Sequence, residues 1–158
     1  MLTPAAVAVT ARRALSEGRL LAQAPDTAFL ASGAGERSPA YVMGDYRCPI
    51  GWALPQDAVA TLAVDEELNV APLDEALADL GVSAEHLPVL RLTQALHDAW
   101  TARRPLGIRD VALMLLHAND NGPPRPPGLL AELRERPVTE RDFAIWLDSL
   151  GGALLHAA

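Results

Sequence analysis

Apolar residues recur at helical spacing through most of this chain, and prolines and glycines cut the pattern at fixed points. That punctuation leaves short helices packed on one another as the architecture. Thr3-Pro4 opens the first, with a hydroxyl to cap and a proline at the first helical position. Val7, Thr10, Ala14, Leu15 and Leu21 continue its stripe and predict a helix that ends before Pro25. The segment Leu92-Thr93-Gln94-Ala95-Leu96-His97-Asp98-Ala99-Trp100 has the strongest pattern. It predicts a central helix opened by Ser83, with Pro88 in its first turns, that continues to about Arg103. Leu73 to Leu80 predicts a helix stopped by Gly81, and Gly107 to Ala118 another with Ile108, Val111, Ala112, Leu115 and Leu116 on one side. Thr139-Glu140-Arg141-Asp142 has the form of a capping box with Asp in the Glu position, leading into Phe143, Ile145, Trp146, Leu147 and Leu150.

Extended structure is expected in one place. Ala40 to Met43 and Tyr46 to Cys48 flank a Gly44-Asp45 turn, which predicts a short hairpin. Pro49 pushes Cys48 toward extended geometry and itself suits the first turn of a helix over Ile50 to Leu54, with a second start at Pro55-Gln56-Asp57. Residues 31–39 read as an exposed loop, Thr61 to Val70 as an irregular connection, and 128–135 as a short helical piece. The expected fold is therefore mainly α (α+β), a single domain over 1–158 with one small β-hairpin around residues 40–48. A proline-rich connection at 119–128 precedes its C-terminal helical segment, because two proline pairs cannot propagate a helix.

With 158 residues the chain is long enough for a hydrophobic core without staples. Its one cysteine forbids an internal disulfide, so packing alone must hold the fold, and a reducing, cytoplasmic location is expected. The N-terminus lacks the basic stretch and apolar core of a signal peptide. The longest apolar run, Val111 to Leu116, falls far short of the roughly 20 residues that span a bilayer. A net charge of −7 argues against nucleic acid, whose binders neutralise phosphates with a basic surface. The same charge suits a basic protein partner, since complementary charge raises association rates. All 13 basic residues are arginine, which reads as codon bias and carries no functional conclusion. No cofactor is expected. Gly33-Ala34-Gly35 lacks the strand and helix of a phosphate loop, and Asp65-Glu66-Glu67 lacks the alternating ligands of a calcium loop. Trp52, Trp100, Trp146, Tyr41, Tyr46 and Phe143 are expected as core anchors, an exposed subset of which could serve a partner.

Two segments carry candidate chemistry. Cys48, ahead of a short helix, would feel the positive end of the helix dipole, which favours the nucleophilic thiolate. His97 could act as its base, Gln94 one turn earlier could support an oxyanion, and Asp57 could assist. Asp98 is a poor orienter of His97, because helix neighbours point about 100° apart. The competing reading makes Cys48 a small core hydrophobe beside Ile50 and Trp52, and no third residue completes a triad. On that reading His97 and Gln94 hydrogen-bond to the hairpin or the Cys48 turn as a structural clasp. The adjacent His97-Asp98 also resembles the pair of metal-dependent phosphohydrolases. Those sites need ligands from other helices, and His86 lies on or near the same one, with His117 and His156 the remaining histidines, so no metal site is expected.

Cys48, Ile50, Gly51, Leu54 and Pro55, with one shift in apolar spacing, and Leu90, Gln94, His97 and Asp98 resemble the motifs of a bacterial and phage-associated family. Its members carry Cys-x-Ile-Gly-x-(Leu or Ile)-Pro and a Leu-x-x-Leu-Gln-x-x-His-Asp helix. The resemblance covers roughly residues 10 to 100, with a weaker echo around Trp146. The chain has Asp57 where the family has an acidic residue, but Val59 in place of its tyrosine and no Glu-Gly near Glu67. The family has no established activity, so the resemblance implies a fold unit rather than a reaction. The expected function is a small soluble protein-binding domain of accessory, regulatory or immunity type without catalysis. The alternative is a cysteine-dependent hydrolase or transferase using Cys48, His97 and Gln94.

Overall fold

The computed structural model describes residues 2–33, 37, 42–59, 77–110, 112 and 129–155. Among the described residues it is mostly helical with a single two-stranded antiparallel hairpin, in keeping with the mainly α expectation. The connection at 61–70, the start of the helix at 73–80, residues 113–118 and the proline-rich connection lie outside the described residues, as do Tyr41 and most of the loop at 31–39.

Helix α1, Pro4–Ser16, starts where Thr3 Oγ1 accepts the Ala6 N–H at 3.2 Å. It stops earlier than its apolar stripe suggests. Gly18 takes φ 68°, and its N–H and that of Arg19 return to the carbonyls of Leu15 and Ala14. This is a Schellman turn, which needs the left-handed backbone that glycine adopts without strain. The turn delivers Leu20 and Leu21 into the interior as a separate 3₁₀ segment, Leu21–Gln23, rather than as a continuation of the helix. A short α2, Asp26–Ala31, follows.

Strands β1, Val42–Met43, and β2, Tyr46–Arg47, pair Val42 with Arg47 and Met43 with Tyr46 around Gly44, whose φ of 58° the tight reversal requires. Arg47 also donates its N–H to the Arg19 carbonyl, tying the hairpin to the chain leaving α1. Helix α3, Pro49–Ala53, begins directly after β2 with proline at its first position. Residues 56–59 and 77–79 are helical, and Gly81 ends the latter at φ 74°. Residues 108–110 and 112 are helical too, within the span expected from Gly107 onward.

Helix α4, Leu87–Thr101, buries Leu90, Leu92, Leu96 and Ala99. It ends in a second Schellman turn, this time with Arg103 at φ 52°, a conformation that costs a non-glycine residue about 1–2 kcal/mol. Arg103 also reaches Asp26 at 3.1 Å, joining the end of α4 to the start of α2. Helices α5, Leu129–Glu135, and α6, Glu140–Leu155, complete the described elements.

The main core lies between α1, α4 and α6. Ala8, Ala11 and Ala14 offer a low-relief face to Leu92, Leu96, Phe143, Trp146 and Leu147. Small side chains there leave room for the larger partners to pack against α1. Trp146 is buried with its indole N–H donating to Thr93 Oγ1 at 2.9 Å, while the threonine hydroxyl donates to the Val89 carbonyl. The expected capping box forms at α6. Asp142 Oδ2 accepts from the Thr139 N–H at 2.8 Å and its own N–H points back at Thr139 Oγ1. Arg136 adds a two-pronged contact to the same carboxylate at 2.6 and 2.8 Å.

Two outcomes follow. Thr93→Val keeps the shape but orphans the buried indole N–H, and should lower stability by about 1–3 kcal/mol in urea unfolding. Burial by itself would raise the Asp142 carboxyl, but Arg136 and the Thr139 donors outweigh it and hold the group below its usual range. Its contribution is therefore complete above the ordinary carboxyl range, near pH 4, and is lost as pH falls through the lowered folded value. Asp142→Asn should flatten that acid limb in denaturation midpoints measured against pH.

Candidate functional site

Cys48 occupies the junction between β2 and α3. Pro49 holds it extended, at φ −70° and ψ 166°, and its Sγ accepts the Gly51 N–H at 3.2 Å as the cap of the helix. The side chain is wholly buried among Val7, Ile50, Leu54, Val59, Leu77, Val82 and Leu90. The expected lowering of its pKa does not occur. Burial pushes the thiol up to about 12; the Gly51 N–H opposes this, the Asp98 charge adds to it, and the Ile50 N–H and Gln94 side chain pull partly back. A five-residue helix has a weak dipole, and desolvation of a thiolate outweighs it.

Gln94, His97 and Asp98 all sit on α4. Gln94, 7% exposed, donates through Nε2 to Asp98 Oδ1 at 2.7 Å, one turn along the same face. Its Oε1 is buried without a hydrogen-bond partner. Both groups act on the Cys48 thiol, the Asp98 charge raising its pKa and the Gln94 side chain lowering it. The structure turns His97 elsewhere: the buried ring accepts the Ala22 N–H on Nε2 at 3.3 Å, which assigns the proton of a neutral ring to Nδ1. Nδ1 lies 3.6 Å from Asp98 Oδ1, beyond hydrogen-bond reach, and has no other partner. Trp100 and Phe143 meet the imidazole edge-on, with centroids at 6.0 and 5.8 Å. His97 thus clasps the 3₁₀ turn, rather than the hairpin or the Cys48 turn. Asp57 is exposed on the segment 56–59.

Arg37 was not singled out by any sequence signal, being one arginine in a run of small polar residues. Its guanidinium donates to the carbonyls of Ala22, Ala24 and Thr101 at 2.6, 2.8 and 3.0 Å, pairs with Asp26 at 2.8 Å and lies over Phe29. Ala22 is consequently held from both sides, its N–H by His97 and its carbonyl by Arg37.

A second assembly lies toward the surface. Trp52 on α3 is partly buried against the core, and its indole N–H donates to the Arg19 carbonyl at 3.2 Å. The guanidinium carbons of Arg19 and Arg47 stand 4.8 and 5.0 Å from the ring centroid. Arg47 donates to Gln56 Oε1 at 2.6 Å, and Arg19 has Glu17 at 3.6 Å. Backbone register places both arginines here, since Arg47 lies across from Leu20.

Among the described residues, no three histidine, cysteine or carboxylate side chains converge as a metal site, and no helix is long and apolar enough to cross a membrane. His86, with a buried unpartnered Nδ1, has Glu85 at 3.7 Å; His117 and His156 lie outside the described residues. His97→Phe preserves an aromatic body but leaves the buried Ala22 N–H without an acceptor. It should cost about 1–3 kcal/mol, with the Ala22 amide showing accelerated hydrogen exchange. Comparison with protein-family models, with curated proteins and with solved structures finds no match for this chain.

Proposed function

We propose that this chain is a protein-binding domain of a bacterial cytoplasm, acting as an accessory, regulatory or immunity-type factor without catalysis of its own. The observation that carries this reading is the inward commitment of the groups a reaction would need. Cys48 is wholly buried with its thiol raised to about 12, so the thiolate that attacks an electrophile is neither formed near neutral pH nor within reach of a substrate. His97 spends Nε2 on the Ala22 backbone, the nitrogen lone pair that a general base would offer to a nucleophile. Among groups nearer the solvent, tryptophan and arginine stand together in the Arg19, Arg47 and Trp52 assembly. These two residue types dominate the energetics of protein interfaces. The lone unpaired cysteine accords with a reducing compartment.

Alkylation of Cys48 by a small electrophile, followed against pH, tests the reading. In the native protein it should proceed only through unfolding, at a rate that tracks added denaturant. His97→Ala should change that rate only as far as it changes stability. Rapid reaction below neutral pH that disappears in His97→Ala without loss of stability would replace the binding reading with the cysteine-dependent hydrolase or transferase.

A further inference from the structure

We infer that Arg19, Trp52 and Arg47 form a docking site for an acidic protein segment, one that presents carboxylates to two arginine forks aligned on a single indole ring. This deepens the binding-domain reading and rests on it. A guanidinium is planar, and its N–H donors radiate in that plane. Contact of its face with an aromatic ring therefore leaves the donor edge free while removing much of the side chain's rotational freedom. Arg19 and Arg47 both stand over Trp52 at 4.8 and 5.0 Å, and contact with the ring restricts both side chains before any ligand arrives. Pre-ordering lowers the entropy cost of binding a carboxylate in the two-pronged mode.

The forks are also underused. Among the described residues Arg47 has a neutral side-chain acceptor, Gln56, and no carboxylate, and Arg19 has Glu17 only at 3.6 Å. Contrast Arg136, which meets Asp142 with two contacts under 3 Å and Glu132 at 3.1 Å. Two cations against one ring repel each other, and an incoming carboxylate relieves that repulsion. Trp52 adds apolar area, its own N–H being already donated to the Arg19 carbonyl. That carbonyl also accepts the Arg47 N–H, so the backbone holding the two arginines is fixed as one unit.

The whole-chain charge of −7 sharpens the placement. A chain of net negative charge repels an acidic segment overall, whereas two arginines attract one here, which makes docking position-specific. Composition alone favours a basic partner, whereas this patch selects the opposite sign at one place. Nucleic acid is the weaker match, since two arginines neutralise too few phosphates to overcome the remaining negative charge.

The test uses the isotopically labelled full chain and three probes: a glutamate-rich peptide of about ten residues, a lysine-rich peptide of equal length, and a single-stranded oligonucleotide. The glutamate-rich peptide should move the Trp52 indole N–H resonance saturably, leave that of the buried Trp146 in place, and bind more weakly as salt is added. R19A and R47A should each weaken binding about tenfold, the loss of a charge-assisted contact. R19K and R47K should also weaken it, because lysine keeps the charge but has no planar face to stack. An unshifted Trp146 resonance certifies each variant's core, and the lysine variants decide the matter where an alanine variant unfolds.

A Trp52 signal that does not respond, unchanged affinity in the arginine variants, or tighter binding of the oligonucleotide at this patch would overturn the inference. Saturable binding of the lysine-rich peptide with Trp52 unmoved would also overturn it while leaving the binding-domain reading intact. A reactive, His97-dependent Cys48 together with a responsive Trp52 would do the reverse.

Discussion

One backbone N–H, that of Ala22, fixes how the two halves of the candidate region meet. It ends on a buried imidazole 75 positions further along the chain, and the carbonyl of the same residue ends on Arg37. A 3₁₀ turn has few internal hydrogen bonds and no amphipathic face of its own. Without those two side chains the buried peptide groups around Ala22 would carry a desolvation penalty with nothing to offset it. The position of the turn in turn sets Leu20 and Leu21 in the interior and aligns Arg19 with Arg47 across the parallel bridge. The packing of α4 and the surface arginine stack therefore share a common anchor, although they lie on different elements.

The same economy explains why Cys48 and His97 do not behave as a reactive pair. A thiol at a helix start is acidic only if solvent or nearby cations can stabilise its charge. Here the surroundings are aliphatic, and the charge that acts on the thiol is the carboxylate of Asp98, which has the wrong sign. Gln94 is bonded to Asp98 one turn along the same face of α4, so these two polar groups are turned toward each other rather than toward an external ligand. The orphaned Gln94 Oε1 marks where that mutual satisfaction is incomplete.

Local signals made much of the fold legible. Thr3-Pro4, Gly44 within its turn, Pro49 after Cys48, and the Thr139-Asp142 box each act within a few residues, and each appears where its chemistry requires. The stripe through Leu21 misled because a leucine delivered by a turn can occupy the same spacing as one on a helix; Gly18 was the stronger signal. The structural role of Arg37 and the pairing of Arg19 with Arg47 over Trp52 depend on segments that meet only after folding. No windowed pattern contains them. The position of Cys48 at a strand-to-helix junction was legible, but its burial and the turning of His97 toward Ala22 are properties of the assembled core.

The reach of Arg37 also bears on how the native state breathes. Its donors span the 3₁₀ turn, through Ala22 and Ala24, and the last turn of α4, through Thr101. Two elements that share one cation cannot loosen separately without stranding buried carbonyls, so they belong to a single cooperative opening unit. Thr101, where a helix end would otherwise fray, is thereby tied to the 3₁₀ turn, and opening of either element entails losing the bonds that hold the other.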